Sequence, residues 1–343
     1  NLYTPYRGLL LYHKLGTGKT CTSIAIAEGM KNHKRVIIMT PKSLRDNYME
    51  ELKKCGDFMY KKNQYWERID DPAAFETLSS VLGLSLEYIT RNRGAWLVDV
   101  SKAPNTLSSS DMKSLDEQLN EMIQNKYTFI NYNGLRASRL QELTNDYEKN
   151  LFDNSIVIID EAHNFISRIV NKLQKEKAVP ENARGEKERL PKAMSLKLYE
   201  FLLSAKDARI VLLSGTPVIN YPNEIGILFN ILRGYIKTWE IPLEVNTTNK
   251  ITAETLQEAL QGEKNMDYLD YSPSSKKLFV TRNPLGFKNK IKERTGYHGV
   301  SNQKKDDRGE TIIETDFVSD DVFERKIIGM LQKMDIAVKT SGI

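Results

Sequence analysis

The sequence predicts an α/β fold, a doubly wound parallel sheet, and three observations carry that prediction. Five short apolar runs recur along the first two thirds of the chain. Helix-prone segments alternate with them. Each unusual polar motif begins where an apolar run stops. Continuous apolar runs suit central strands buried on both faces, and their alternation with helices implies a parallel sheet wound on both sides. In such folds the working residues gather at the carboxyl ends of strands.

In chain order, Leu9-Leu10-Leu11-Tyr12 runs into a glycine-rich turn, and Thr20 to Met30 then reads as a helix with Gly29 near its end. Val36-Ile37-Ile38-Met39 stops at Thr40-Pro41. Ser43 to Lys54 follows with Leu44, Tyr48 and Leu52 at helical spacing. Residues 61–126 break the rhythm and read as an insertion, with a loop at Pro104 to Ser110. Thr128-Phe129-Ile130 stops at Asn131-Tyr132-Asn133-Gly134, Ile156-Val157-Ile158-Ile159 at Asp160, and Ile210-Val211-Leu212-Leu213 at Ser214-Gly215. Residues 172–192 hold dense charge of both signs together with Pro180, Gly185 and Pro191, which predicts a solvated, mobile loop. Residues 1–235 thus read as one nucleotide-binding lobe, and 236–343 as a less regular extension. Within the extension Leu278-Phe279-Val280 suggests a strand and Val322 to Val338 an amphipathic helix.

Composition narrows the class. The 343 residues are 40% hydrophobic and 28% charged, which excludes a disordered chain. No run of about 18 apolar residues exists, so no membrane span is expected, and no secretory signal is visible. The first residue is Asn1, not Met, so the chain is expected to be a piece of a longer one. Two isolated cysteines, Cys21 and Cys55, predict neither a disulfide framework nor a zinc site and fit a reducing, intracellular setting. Fifty basic against 45 acidic residues leave +5, which permits a polyanion partner without demanding one.

Three motifs carry chemistry. Leu15-Gly16-Thr17-Gly18-Lys19-Thr20 lies between a strand and a helix. There, backbone N–H groups at a helix start can cradle phosphates and glycines allow the close approach. Lys19 would reach the β- and γ-phosphates, and the Thr20 hydroxyl would hold Mg²⁺. His13 stands where the general phosphate-loop pattern has its first glycine. Asp160-Glu161-Ala162-His163 follows the fourth run. Asp160 would hold the nucleotide's Mg²⁺ and Glu161 would polarise the attacking water, with His163 linking the γ-phosphate region to the rest of the domain. Ser214-Gly215-Thr216-Pro217 follows the fifth run, and its hydroxyls can hydrogen-bond the acidic box. Taken singly, these segments also read as a glycine turn, an acidic helix start and a proline turn.

Together the motifs resemble those of helicase superfamily two, on its Snf2-like side. Leu15 to Thr20 looks like motif I, Thr40-Pro41 like Ia, Asp160 to His163 like II and Ser214 to Thr216 like III, while Asn131-Tyr132-Asn133 sits where Snf2-like members carry a Thr-Thr-Tyr element. Two phrases, Leu10 to Thr20 and Phe279 to Phe287, are similar to helicases of large nucleocytoplasmic DNA viruses. That group includes poxvirus early transcription factor small subunits, nucleoside triphosphatase I and mimivirus-like relatives. The resemblance implies a RecA-like lobe, ATP with Mg²⁺, and a nucleic-acid partner touched by Thr40, Pro41, Lys42 and Tyr132. It further implies duplex DNA rather than RNA, a viral RNA polymerase or transcription factor subunit nearby, and a cytoplasmic viral factory or virion.

A complete motor of that superfamily needs a second RecA-like lobe with a Gln-x-x-Gly-Arg-x-x-Arg element. These residues contain no Gly-Arg dipeptide, so the second lobe is expected to be absent and hydrolysis by these residues alone to be weak. An upstream glutamine element that would read adenine is not visible either. Lys276, Lys277, Arg282, Lys288, Lys290, Lys292 and Arg294, with Phe279 and Phe287 among them, read either as a track for a nucleic-acid strand or as a solvated hairpin face. An RNA helicase and a nucleotide-binding scaffold without turnover remain rival readings. No Asn-Lys-x-Asp guanine reader supports a GTPase.

Overall fold

The computed structural model describes residues 6–14, 16–177, 193–244, 251–284, 286–292, 296–313 and 318–339. The chain divides into two compact units, Arg7–Gly234 and Asn1–Tyr6 with Tyr235–Ile343. The first unit runs β1 (Gly8–Tyr12), α1 (Lys19–Glu28), β2 (Arg35–Thr40), α2 (Arg45–Cys55), β3 (Trp66–Ile69), α3 (Phe75–Leu82), α4 (Leu86–Arg91), β4 (Ala95–Val98) and α5 (Ser109–Lys126). It continues with β5 (Tyr127–Asn131), α6 (Ala137–Leu143), β6 (Ser155–Ile159), α7 (Ala162–Lys177), α8 (Met194–Ser204), β7 (Arg209–Ser214) and α9 (Glu224–Arg233).

The five apolar runs are the five strands of one sheet, ordered β1-β7-β6-β2-β5 and parallel at every pairing. Each strand feeds two cores, because successive side chains point to opposite faces. Val36, Ile38, Ile156, Ile158, Val211 and Leu213 pack with α1, α2 and α5 on one face. Ile37, Met39, Val157, Ile159, Ile210 and Leu212 pack with α7, α8 and α9 on the other. The three central strands β2, β6 and β7 are buried on both faces, so their runs are uninterrupted, whereas the edge strands β1 and β5 are partly exposed. The parallel arrangement also brings the carboxyl ends of β1, β7, β6 and β2 to one edge of the sheet.

Residues 61–126 hold the antiparallel pair β3–β4 with α3, α4 and α5, and they extend the α1–α2 core through Trp66, Leu78, Ile89 and Trp96. Gln118 on α5 meets the backbone of Trp96 on β4 as a strand would, accepting from its N–H at 2.7 Å and donating to its carbonyl at 2.8 Å. Two expectations give way here. The loop expected from residue 172 begins later, because α7 continues through Lys177. Ile166, Ile169 and Leu173 pack into the core with Val170 also buried, and they outweigh the charge on the outer side. Residues 178–192 of that expected loop lie outside the described residues.

Cys21 and Cys55 are bonded to each other, with Cα atoms 5.4 Å apart, and this corrects the expectation of two isolated thiols. Neighbouring α1 and α2 bring together cysteines 34 residues apart in sequence. Closing a loop of that length restricts the unfolded chain by roughly 3–4 kcal/mol. A reductant is therefore expected to lower the urea midpoint of the wild-type protein and to leave the Cys21→Ser/Cys55→Ser double variant unmoved. Equal midpoints for wild type with and without reductant would show that the bond does not form in solution.

The second unit comprises β8 (Thr238–Glu244), α10 (Ala253–Leu260), β9 (Met266–Ser272), β10 (Lys277–Arg282), β11 (Lys288–Lys292), β12 (Gly296–Ser301), β13 (Gln303–Lys305), β14 (Thr311–Ile313), α11 (Asp320–Gln332) and β15 (Ala337–Val338). It is more regular than its sequence suggests. An antiparallel sheet, β15-β8-β10-β9, packs Trp239, Ile241, Leu243, Leu278 and Val280 under Leu256, Leu260, Phe323, Ile327 and Leu331 of the two helices. Among the described residues, no helix is long and apolar enough to cross a membrane.

Candidate functional site

The turn after β1 positions the first functional group. Gly16 and Gly18 both have φ of +77°, a left-handed backbone that glycine alone adopts without strain. Gly18 caps α1, and no acidic residue occupies the helix's first turn, so its free N–H groups and positive end face an open space. Lys19 at the helix start donates through Nζ to the carbonyls of His13 at 2.9 Å and Lys14 at 3.3 Å, which folds the ammonium back across the turn. The next turn of α1 is pinned from below: the Ser23 hydroxyl donates to the Thr20 carbonyl at 2.7 Å and lies 2.8 Å from the buried Tyr48 hydroxyl.

The acidic box leaves the end of β6. The Asp160 N–H donates to the Met39 carbonyl at 2.8 Å, extending the β2–β6 ladder by one bond. The Asp160 carboxylate accepts the Glu161 N–H at 3.0 Å. Glu161 has φ of +47°, a left-handed conformation that costs a side-chain-bearing residue about 1–2 kcal/mol. Its carboxylate lies 3.4 Å from His163 Nδ1, which in turn lies 3.0 Å from the Ser214 hydroxyl at the end of β7. Ser214 also accepts the Thr216 N–H at 3.1 Å. The His163 ring thus links the end of β6 to the Ser214 hydroxyl at the end of β7, while Thr216 joins through its backbone N–H.

Lys19, Thr20, Asp160 and Glu161 line one cavity of about 400 Å³, with Gly16 and Gly18 on its rim. A second cavity of about 480 Å³ adjoins it at Glu161 and is walled by Lys14, His163, Gly215 and Thr216. Burial, and then the Glu161 carboxylate, push Asp160 up to about 6, against the Glu161 N–H and the nearby Lys19 ammonium. A carboxylate held so high is short of positive charge. Without a cation, this shift costs stability that grows as pH rises from about 4 to about 6 and is fully present above that. Asp160→Asn is therefore expected to stabilise the metal-free protein near pH 7.5, by roughly 1–3 kcal/mol. The gain should vanish toward pH 4, where Asp160 is itself protonated. Chemical denaturation of both proteins at the two pH values measures it, and an equal or lower stability of the variant at pH 7.5 would count against a charge-starved Asp160.

The α2 side of the cavity was not foreseen. Leu44, Asn47, Tyr48 and Glu51 form its wall, and Cys21 lies beside them. Tyr48 was recognisable only as an apolar helical position. Asn47 and Glu51 stand one helical turn apart, which is the one signal the sequence offered.

The residues expected to touch nucleic acid fare differently. Lys42 is exposed, but Thr40 is fully buried and Pro41 is buried. Tyr132 is only 4% exposed, with its ring against Phe165 and its hydroxyl donating toward the Asp160 and Glu161 carbonyls at 3.1 and 3.2 Å. Burial, and then the Asp160 and Glu161 carboxylates, raise its pKa, so the phenol keeps the proton it donates. Of the four residues expected at a nucleic-acid backbone, Lys42 presents an exposed side chain, whereas those of Thr40, Pro41 and Tyr132 are buried.

Two members of the basic cluster of the second unit are engaged within that unit. Lys277 pairs with Glu240, and Arg282 pairs with Asp320 at 2.9 Å and donates to the Val318 carbonyl. Phe287 is buried, so it offers no stacking face. Lys276 and Lys290 are exposed. The Lys292 side chain and Arg294 lie outside the described residues.

A family model described as "Type III restriction enzyme, res subunit" matches residues 4–218. The chain is 30% identical over 236 residues to "Putative ATP-dependent RNA helicase R563" of Acanthamoeba polyphaga mimivirus, covering 68% of this chain and 30% of that protein. It is 28% identical over 246 residues to "Putative helicase 087L" of Invertebrate iridescent virus 3, covering 68% of this chain and 19% of that protein. A "Termination factor NPH-I homolog" of African swine fever virus is 24% identical over 286 residues, covering 81% of this chain and 30% of that protein. The chain thus spans between 19% and 30% of the length of these relatives.

Proposed function

Since this chain belongs to the family of the type III restriction enzyme res subunit, whose domain is a RecA-like helicase lobe, we propose that it is the ATP-binding lobe of a nucleic-acid-dependent motor. The observation that carries this reading is the convergence of Lys19, Thr20, Asp160 and Glu161, from segments more than a hundred residues apart, on one cavity at the carboxyl edge of the parallel sheet.

The phosphates of ATP would lie over the Gly16–Thr20 turn, on the free N–H groups of α1, and would draw the Lys19 ammonium away from the His13 and Lys14 carbonyls. Thr20 and Asp160 are the donors that would hold Mg²⁺. The fit is a chemical one, since a hydroxyl and a carboxylate starved of positive charge are a hard cation's ligands. The ion supplies charge neutralisation for the phosphates. Glu161 would take the proton of the attacking water, and His163 with Ser214 and Thr216 would carry the state of that site to the loop after β7.

ATP closing the lobe onto a partner, and hydrolysis releasing it, would move a nucleic-acid strand stepwise. Duplex DNA in viral transcription is the favoured setting, with a viral RNA polymerase or transcription factor subunit as neighbour. The name of the African swine fever virus relative, a termination factor, fits a transcription setting and specifies no nucleic acid. The name of the mimivirus relative favours an RNA substrate instead. ATPase activity of the full-length protein with duplex DNA, single-stranded DNA and RNA decides between them. Stimulation by duplex DNA alone supports the first reading and by RNA alone the second, while no stimulation by any of the three refutes the motor.

A further inference from the structure

The Tyr132 hydroxyl does unassigned work in this site. The Glu161 peptide flanks are held at three points: the N–H is accepted by the Asp160 carboxylate at 3.0 Å, the Asp160 and Glu161 carbonyls share the Tyr132 hydroxyl at 3.1 and 3.2 Å, and the Glu161 carbonyl also accepts the Asn164 N–H at 2.9 Å. Between these anchors Glu161 sits at φ +47°, a conformation that persists only where its surroundings over-determine it. The anchors are not equivalent. The Asp160 carboxylate is the group that a bound cation would engage, and the Asn164 N–H belongs to the first turn of α7. The phenol is the one anchor of the three that comes from β5's end of the sheet.

Tyr132 is also placed to feel events outside the pocket. It is the second residue of the tight turn that closes β5, in which the Gly134 N–H donates to the Asn131 carbonyl at 3.0 Å. Asn133 and Gly134 are exposed beyond it, while the Tyr132 ring is wedged against Phe165 on α7. A shift of the exposed turn therefore reaches the backbone of the acidic box through one rigid side chain.

We propose that Tyr132 is a positioning residue for Glu161, its hydroxyl fixing the left-handed Asp160–Glu161 backbone and tying the carboxylate's aim to the turn that follows β5. This rests on the reading of Glu161 as the base that activates water.

Tyr132→Phe in the full-length protein tests it, because phenylalanine keeps the ring in its packed place and removes only the hydroxyl. Two measurements are needed. Amide hydrogen exchange across residues 159–164 should quicken in the variant, without nucleotide. Steady-state ATPase with the stimulating nucleic acid should show kcat reduced about tenfold, the scale of one lost hydrogen bond, with KM for ATP and the melting temperature near wild type. Unchanged exchange overturns the clamp whatever the turnover does. Faster exchange with unchanged kcat overturns the positioning role. A fall in melting temperature that accounts for the lost activity also overturns it, in favour of plain packing. A wild-type protein with no stimulated ATPase defeats the motor reading instead, and with it any role for Tyr132 in aiming a base, while the exchange measurement still reports the clamp by itself.

Discussion

Replacing Glu161 by Gln in the full-length protein is expected to lower nucleic-acid-stimulated ATP turnover by roughly 10²–10⁴-fold, the range lost with a positioned general base, and to leave ATP affinity within a few-fold of wild type. The geometry separates the two effects. Among the described residues the Glu161 side chain is not bonded to the Gly16–Thr20 turn, and the bond to the Asp160 carboxylate comes from the Glu161 backbone N–H, which glutamine preserves. The amide is close in size to the carboxylate and can still meet His163 Nδ1, 3.4 Å from the present oxygen, so the link from motif II to motif III survives. What is lost is the ability to accept a proton next to the cavity. The variant should therefore accumulate with ATP and nucleic acid bound together. Fluorescent-nucleotide titration and steady-state phosphate release read the two quantities. Turnover within about threefold of wild type would remove Glu161 from the chemistry and favour a scaffold that binds nucleotide without consuming it.

Much of this site was legible because of where its strands lie. Ile156 to Ile159 is apolar at every position since β6 is central and buried on both faces, and a run that ends abruptly in two carboxylates marks a strand end on sight. The sheet order is not legible in the same way. β7 lies between β1 and β6 because of crossovers set by helix packing, not by any residue pattern in the strands. In the second unit the strands are half-exposed, so Trp239, Ile241 and Leu243 alternate with Glu240 and Pro242, and the pattern looked irregular beside the uniform runs upstream. Charge misled in α7, where its exposed residues hid the buried Ile166, Ile169 and Val170. Tyr132 shows a different limit. A motif placed it correctly at the end of β5, but motif position says nothing of side-chain direction, and the ring turns inward to Phe165 instead of outward to a polymer. Cys21 and Cys55 show a third: a spacing of 34 residues becomes a bond only through the packing of α1 on α2.

The isolated 343 residues are expected to bind ATP while hydrolysing it roughly 10³–10⁵-fold more slowly than the full-length protein on its nucleic acid. That is the span an added arginine contributes at the γ-phosphate of phosphate-loop enzymes. The cavity explains why. Among the described residues that line it, Lys19 is the one cation, and no arginine joins it. The adjoining cavity adds Lys14 beside Glu161 and His163, again without an arginine. A lysine ammonium is a point charge that can hold the ground-state phosphates, whereas charge spreading over three equatorial oxygens in the transition state calls for a planar, multi-donor group from the facing side. The sequence offers no Gly-Arg pair to supply one, and relatives more than twice as long leave room for it elsewhere. Measuring nucleotide affinity and phosphate release on the same preparation separates a competent pocket lacking its partner from a misfolded one, since only the former retains micromolar-scale binding. Brisk turnover by these residues alone would mean that the charge-stabilising group is already present, and would return attention to Lys14 and Lys19 as the pair that provides it.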